Sequence, residues 1–175
     1  FNALQGGETL TMSGTGTVVS KNVANGQSVT VGSLALANGT GTASNYSLNS
    51  TVINITQRII NTVYGTRIYD STAIVNGSDL SNINNLVGSE TLTISGSGSL
   101  SDANAGSNKT VTLGTLSLSN GSNGGLASNY TMAGGSHSLT VNQRVVNVSG
   151  TRQYDATTTT AASDLSTMTN LVGSQ

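Results

Sequence analysis

The stretch GTRIYD at residues 65–70 returns as GTRQYD at residues 150–155, so that Tyr69 and Tyr154 lie 85 residues apart. The sequence around the two phrases is repeated as well, with ETLTMSG at residues 8–14 and ETLTISG at residues 90–96. Self-similarity at one fixed spacing is typical of repeat proteins, in which each copy forms one structural unit. The sequence therefore predicts tandem modules of about 85 residues.

Within each repeat, apolar and polar side chains alternate over short runs. Residues 8–14 and 90–96 place an apolar side chain at every second position, which is the pattern of a strand with one buried face. In residues 28–36 the alternation changes phase across Gly32, and the second copy repeats this change at Gly114. A change of phase at a glycine predicts a bulge or a corner there.

Short strands separated by polar turns, without a long apolar stripe of helical period, favour an all-β fold. We predict tandem small β-sandwich modules of the immunoglobulin-like type. A β-solenoid is the alternative, with coils of roughly 20–30 residues. The predicted boundaries give the C-terminal part of one module at 1–64, a complete module at 65–149 and the N-terminal part of the next at 150–175. We expect the array to continue beyond this sequence.

The composition excludes several classes of partner. Ser (26), Thr (26), Gly (22) and Asn (20) make up more than half of the 175 residues, whereas charged residues are 7% and the net charge is -1. Nucleic acids and anionic membranes attract clusters of Lys and Arg, and this sequence has none. A transmembrane helix needs about 20 apolar residues in succession, so we expect no membrane insertion. The sequence has no cysteine, which excludes disulfides and thiolate metal sites.

Candidates for chemistry are few. His137 is the only histidine, and the first copy has Thr51 at the equivalent position. We interpret His137 as a solvated residue at the edge of a strand. Residues 101–106 resemble a calcium-binding loop, but they lack the bidentate Glu and the other acidic ligands of such a loop. We therefore predict no catalytic site, no cofactor and no metal site, and hence no enzyme.

Ten of the thirteen charged residues recur at equivalent positions of the two copies, which suggests contacts inside each module. In the repeated phrase, we predict that Arg pairs with the Asp three residues later and that Tyr is buried. The residues of this structural motif are Arg67, Tyr69, Asp70, Arg152, Tyr154 and Asp155. Asp79 and Asp164, each followed by Leu, are predicted to cap a short helical turn.

A family resemblance follows from these motifs taken together. YD at 69–70, SDL at 78–80, NLVG at 85–88, ETLT at 90–93, KTVTLG at 109–114 and LASNYT at 126–131 resemble the YDG repeat of very large bacterial surface proteins. These proteins are adhesins of the filamentous-haemagglutinin type, which are exported by two-partner secretion. The glycine that gives the repeat its name is replaced by Ser71 and Ala156, so the turn there need not be that of the family.

The resemblance implies a non-enzymatic structural repeat, the stalk or fibre of an extracellular adhesin on the bacterial cell surface or in the biofilm matrix. The expected partners are neighbouring repeats of the same protein. Because proline is absent and charge is low, strand edges are weakly protected, and modules could assemble into filaments by strand addition. The alternative is a carbohydrate-binding module for a host or matrix glycan. Its contact residue would be Tyr64, which lacks a counterpart, or the paired Tyr69 and Tyr154.

Overall fold

The structure, a computed structural model, describes residues 4–49 and 51–173. These residues contain strands and five short 3-10 turns but no α-helix, which confirms the all-β prediction. No helix in the described part of the chain is long and apolar enough to cross a bilayer. The 3-10 turns are Gln5–Gly7, Ala43–Asn45, Gly77–Asp79, Ala127–Asn129 and Ala162–Asp164.

The chain divides into two compact units, Phe1–Arg58 and Ile59–Gln175. The first unit contains five strands: β1 (Leu10–Ser13), β2 (Thr17–Val18), β3 (Ala24–Thr30), β4 (Ala35–Asn38) and β5 (Val52–Ile55). β1 pairs with β4, and β3 lies between β2 and β5, with every pair antiparallel. Between β3 and β4 the predicted corner is present, because Leu34 N–H bonds to Val31 O and Gly32 has a φ of 56°.

Strand β6 (Arg58–Ile59) lies at the boundary between the two units. The strands of the second unit that form the complete copy are β7 (Thr62–Ile68), β8 (Ile74–Asn76), β9 (Asn82–Ile83), β10 (Leu92–Ser95), β11 (Ser97–Ser99), β12 (Gly106–Thr110), β13 (Ser117–Asn120), β14 (Tyr130–Thr131) and β15 (Ser136–Asn142). β10 pairs with β13 and β11 with β8, in both cases antiparallel.

The largest sheet has the order β12, β15, β7, β9. Its central pair is parallel: β7 at the start of the copy runs beside β15 at its end, and all seven residues of each strand are in register. A parallel pair requires a long connection between its strands, and here most of the module supplies it. The two ends of one copy are thereby joined at the centre of the sheet.

Beneath this sheet lies the hydrophobic core of the second unit. Its members come from five strands of the complete copy and from the segments between strands: Ile60, Val63, Val75, Leu80, Leu92, Leu100, Val111, Leu116, Tyr130, Met132, Leu139 and Val141. Along β7 and β15, buried residues alternate with more exposed ones as the pleat of a strand requires. In the first unit, the described residues bury only one large apolar side chain, that of Leu10.

The residues that follow the complete copy begin the same order of strands again. β16 (Asn147–Ser149) pairs with β17 (Thr167–Thr169) in an antiparallel hairpin whose residues are all exposed. The sheets of the described residues are small, with two to four strands each, and none is closed or coiled into a solenoid. The immunoglobulin-like arrangement and the predicted module boundaries stay predictions.

Candidate functional site

The repeated phrase forms a clasp around Arg67 at the end of β7. The Arg67 guanidinium donates hydrogen bonds to the carbonyl oxygens of Thr72 and Ile74. Its Nη2 lies 3.4 Å from Asp70 Oδ1, and its Nη1 lies 3.6 Å from Asp79 Oδ2. The side chain is only 7% exposed, so these contacts are poorly screened by water. The guanidinium thus fixes the loop between β7 and β8 to the 3-10 turn that follows it.

Asp70 closes the turn inside this clasp. Its Oδ1 accepts hydrogen bonds from Thr72 N–H at 3.0 Å and from Thr72 Oγ1 at 3.1 Å. Partial burial raises the pKa of the Asp70 carboxyl, but the bonds from Thr72 and the charge of Arg67 outweigh it, so the pKa lies below its usual value. The carboxylate is therefore held in its charged form by the loop that it organises.

The residue after Asp70 adopts a left-handed conformation. Ser71 has a φ of 64°, and Ala156 at the same place in the next copy has a φ of 60°. This region is easily reached by glycine and is costly for residues with a Cβ. In both copies, this left-handed turn is therefore formed by a residue that is poorly suited to it. The two copies form this turn alike, with Ser71 in one and Ala156 in the other.

Gly65 is required by a close approach between two elements. A Cβ atom at Gly65 would lie 1.8 Å from the carbonyl oxygen of Asp79, and one at Gly150 would lie 1.7 Å from that of Asp164. Strand β7 thus packs its backbone directly against the turn Gly77–Asp79. Asp79 also caps this turn, since its Oδ2 accepts a hydrogen bond from Asn76 N–H at 2.9 Å. Gly65, the first residue of the repeated phrase, therefore has a structural role, as Arg67 does.

The second phrase repeats the clasp. Arg152 donates hydrogen bonds to Thr157 O at 2.6 Å and to Thr157 Oγ1 at 3.1 Å, and its Nη1 lies 3.4 Å from Asp155 Oδ2. Hydrogen bonds from Thr157 lower the pKa of Asp155, as in the first phrase. The Arg–Asp contact therefore forms in each copy by the same means.

The two phrase tyrosines differ in their surroundings. Tyr69 packs against the core and donates its backbone N–H to Asn142 O at 2.9 Å. Tyr154 is 95% exposed, so the prediction that it is buried is wrong for this chain. The physical reason is that β10 through β15 provide the core around Tyr69, whereas no equivalent strands pack on Tyr154 within the described residues. Tyr64, the predicted glycan contact, is an exposed side chain on β7.

His137 is buried, at 5% exposure, and its interpretation as a solvated edge residue is wrong. Val63 N–H donates to His137 Nδ1 at 3.1 Å, so Nε2 carries the proton and donates to Met132 O at 3.0 Å. The imidazole thus adds a side-chain hydrogen bond to the parallel pair of β15 and β7. Both ring nitrogens serve backbone groups, which leaves neither available for catalysis or metal binding.

A Tyr–Glu hydrogen bond occurs in both copies. Tyr130 Oη donates to Glu90 Oε2 at 2.5 Å and accepts a hydrogen bond from Val87 N–H at 3.1 Å. In the first copy, Tyr46 Oη donates to Glu8 Oε2 at 2.6 Å. A buried tyrosine needs a partner for its hydroxyl, and the recurring glutamate provides one. The shared glutamates therefore have a role inside the module.

The loop at residues 101–106 binds the side-chain ammonium group of Lys109, a residue of the same chain. Lys109 Nζ lies 2.5 Å from Asp102 Oδ1, 2.9 Å from Asp102 O and 2.8 Å from Asn104 O. The hydrogen bond from Lys109 also lowers the pKa of Asp102. The oxygens that resemble a calcium loop in sequence thus surround an ammonium group. No cluster of three or more His, Asp or Glu side chains within the described residues is arranged to hold a metal.

A cleft of about 490 Å³ lies where the complete copy meets the start of the next one. Arg144 crosses it, donating to Asn170 O at 2.7 Å and to Asn170 Oδ1 at 2.9 Å. Its walls combine polar and apolar residues: Tyr69, Ala105, Gln143, Arg144, Val146, Asn170, Leu171 and Val172. Of the three tyrosines predicted as possible glycan contacts, only Tyr69 lines this cleft.

Residues 55–141 match the family model described as the YDG domain, and a YDG domain is therefore found at these residues. This confirms the predicted resemblance at the level of the domain. The matched stretch contains β7 and all but the last residue of β15, the two strands that pair in parallel. No curated protein and no solved structure matches the chain.

Proposed function

We propose that the chain is a non-enzymatic structural repeat of an extracellular bacterial adhesin or matrix fibre. In this proposal, tandem β-sandwich modules of about 85 residues form a stalk or a filament, on the cell surface or in the biofilm matrix. Export by two-partner secretion is part of the same proposal. The YDG domain at residues 55–141 and its resemblance to repeats of surface adhesins support it.

The observation that carries the proposal is the use of the recurring charged groups inside the module. Arg67 and Arg152 each bind backbone oxygens of their own loop, and Glu8 and Glu90 each bind a tyrosine hydroxyl of their own copy. A catalytic or binding site must offer such groups to a substrate. Here they are bonded to the protein that carries them, as expected for a unit whose task is to keep its shape.

Labelling of cells tests the location. Antibodies raised against the purified chain should decorate the surface or the matrix of cells that make the native protein, as seen by immunogold electron microscopy. Labelling confined to the cell interior, while the surface stays unlabelled, would overturn the proposal. Permeabilised cells serve as the control for antibody access.

Force spectroscopy tests the stalk role. A native array stretched in single-molecule experiments should unfold module by module. Each step should lengthen the chain by up to about 280–310 Å, because an extended residue spans roughly 3.3–3.6 Å and the period is 85 residues. A continuous extension without steps of this size would argue against independent structural modules.

The cleft at Tyr69 favours a second candidate, a carbohydrate-binding module. Ligand sites are concave and mostly apolar with a few polar groups, and this cleft joins the Tyr69 side chain to Gln143 and Arg144. On a glycan array, a ligand of the cleft should be lost in Gln143→Ala and retained in Tyr64→Ala, since Tyr64 lies outside the cleft. The reverse pattern would assign sugar binding to Tyr64, and an array without hits would dispose of this candidate.

A further inference from the structure

Five asparagines of the chain are each followed directly by a glycine. They are Asn25, Asn38, Asn76, Asn120 and Asn123. Asparagine is one of the chemically labile residues. Glycine has no Cβ, so a glycine that follows asparagine offers its backbone nitrogen to the side-chain amide without steric hindrance. The sequence alone therefore contains five equal candidates for an attack of the backbone on the side chain.

Four of these asparagines lie in strands. Asn25 belongs to β3, Asn38 to β4, Asn76 to β8 and Asn120 to β13. The attack closes a five-membered ring, and the ring can form only if the asparagine rotates away from the extended conformation. Pairing with a neighbouring strand opposes this rotation, because the ladder hydrogen bonds must open first.

The reacting groups of the same four pairs are also held by hydrogen bonds. In three pairs the glycine N–H is a donor, and in the fourth the carboxamide oxygen is an acceptor. The bonds are Gly26 N–H to Asn54 Oδ1 (2.7 Å), Gly77 N–H to Gly96 O (3.0 Å), Gly121 N–H to Gly125 O (3.1 Å) and Ala43 N–H to Asn38 Oδ1 (2.7 Å). Each bond lowers the population of the reactive form.

Asn123 and Gly124 differ from the other pairs in every respect. They lie in a turn between β13 and the 3-10 turn Ala127–Asn129, and both are exposed. Within the described residues, Gly124 N–H donates no hydrogen bond, and a Cβ atom at Gly124 would meet nothing within 4 Å. Asn123 Nδ2 donates to Ser89 O at 3.1 Å. This bond is exposed, so water can replace it at little cost.

We infer that Asn123 is a site of spontaneous deamidation. The Gly124 nitrogen bonds to Asn123 Cγ, and the side-chain nitrogen leaves as ammonia with the proton that the backbone nitrogen gave up. Water then opens the cyclic imide at one of its two carbonyl carbons, which yields aspartate or isoaspartate at position 123. Water is the one co-reactant, and this inference is independent of the proposed function.

The modification would change both the charge and the contacts of this turn. It adds one negative charge to a chain whose net charge is -1. The donor that faces Ser89 O becomes a carboxylate oxygen, so that two acceptors face each other and the contact is lost. Ser122 stays in place, because its N–H donates to Thr91 Oγ1 at 2.7 Å and its carbonyl accepts Thr91 N–H at 3.2 Å. The opening is therefore confined to the tip of the turn.

Ageing of the purified full-length chain at neutral and mildly alkaline pH tests the inference. Peptide mapping by mass spectrometry locates each modified asparagine, and anion-exchange chromatography separates the species by charge. In the folded chain, Asn123 should react about tenfold faster than any of the other four. In guanidinium chloride, all five should react at similar rates, because strand pairing and hydrogen bonds no longer distinguish them.

Asn123→Gln and Asn25→Gln are the matched variants. The first should lack the early acidic species, since the longer glutamine side chain closes its ring far more slowly, and the second should retain it. Hydrogen exchange of the aged chain should increase in the peptides that contain Ser89 and Asn123, while β7 and β15 stay unchanged. An asparagine in a strand that reacts before Asn123, or a folded chain that does not react while the unfolded chain does, would overturn the inference.

Discussion

Ser71 and Ala156 occupy a backbone conformation that disfavours their own side chains. Their φ angles of 64° and 60° lie in the left-handed region, which costs residues with a Cβ roughly 1–2 kcal/mol. Glycine usually destabilises a protein by loosening its unfolded chain, but here relief of strain should outweigh that cost. The positive φ of Ser71 therefore lowers the stability of the loop that surrounds Arg67.

We predict that Ser71→Gly stabilises the second unit by about 0.5–1 kcal/mol, measured by urea unfolding. The control is Ser89→Gly, at an exposed serine that is absent from the positive-φ residues. There the stability should stay the same or fall by about 0.5–1 kcal/mol. A decrease in stability for Ser71→Gly would show that the strain argument is wrong.

Asp70 makes the clasp sensitive to acid. Its pKa lies below the usual value in the folded protein, so the carboxylate contributes stability above the unfolded pKa of about 3.9. This contribution is lost as the pH falls through the folded pKa. Asp70→Asn keeps a side-chain oxygen for Thr72 N–H but removes the charge that faces Arg67.

We predict that the Asp70→Asn variant is less stable than the unmodified chain at neutral pH, and that the two stabilities converge as the pH falls below about 4. Thermal unfolding followed by circular dichroism between neutral and acidic pH measures this. Asp102 and Asp155 also have lowered pKa values, so the variant should keep part of the acid sensitivity. Parallel stability curves at all pH values would contradict the prediction.

At the scale of elements, His137 adds a buried side-chain hydrogen bond to the parallel pair of β7 and β15. Its ring accepts Val63 N–H from one strand and donates to Met132 O ahead of the other. His137→Leu keeps the volume apolar but leaves the buried N–H of Val63 without its acceptor. An unsatisfied buried backbone group costs about 1–3 kcal/mol. The parallel pair should therefore be the place where this variant loosens.

We predict that His137→Leu lowers the free energy of unfolding of the second unit by about 1–3 kcal/mol. Ser138→Ala, one residue along the same strand with its side chain on the opposite face, should change it by less than about 0.5 kcal/mol. Hydrogen exchange read at the Val63 amide should increase in the histidine variant alone. Equal stability of both variants would show that the hydrogen bonds of the imidazole do not contribute to the stability of the second unit.

Individual elements show how far the sequence could predict this fold. Alternation predicted β1 and β10 correctly, because the side chains of a strand report directly which face is buried. The phase change at Gly32 likewise predicted the corner after β3. The parallel partner of β15 could not be predicted, since alternation does not encode which strand lies alongside.

The same limit explains His137, which is buried by a strand that lies 74 residues earlier. The Arg67 contacts were within reach of the sequence, because Arg and Asp three residues apart can meet in a turn. The role of Lys109 was not, because its oxygen partners include two backbone carbonyls, and no sequence pattern marks those. Local contacts were therefore predictable, and contacts between distant strands were not.

At the scale of the whole molecule, apolar burial is unequal along the chain. Among the described residues, nearly all of the buried apolar side chains belong to the complete copy. The first unit contributes Leu10, and the hairpin β16–β17 contributes none. An isolated two-stranded hairpin is marginally stable in water. Local opening is easiest where few apolar groups are buried.

The protection of backbone amides from hydrogen exchange should follow the same order. We predict the strongest protection in β7 and β15, weaker protection in β3 and β5, and the least in β16 and β17, measured by mass spectrometry of exchanged peptides. Uniform protection along the chain would show that local stability does not follow the burial of apolar side chains.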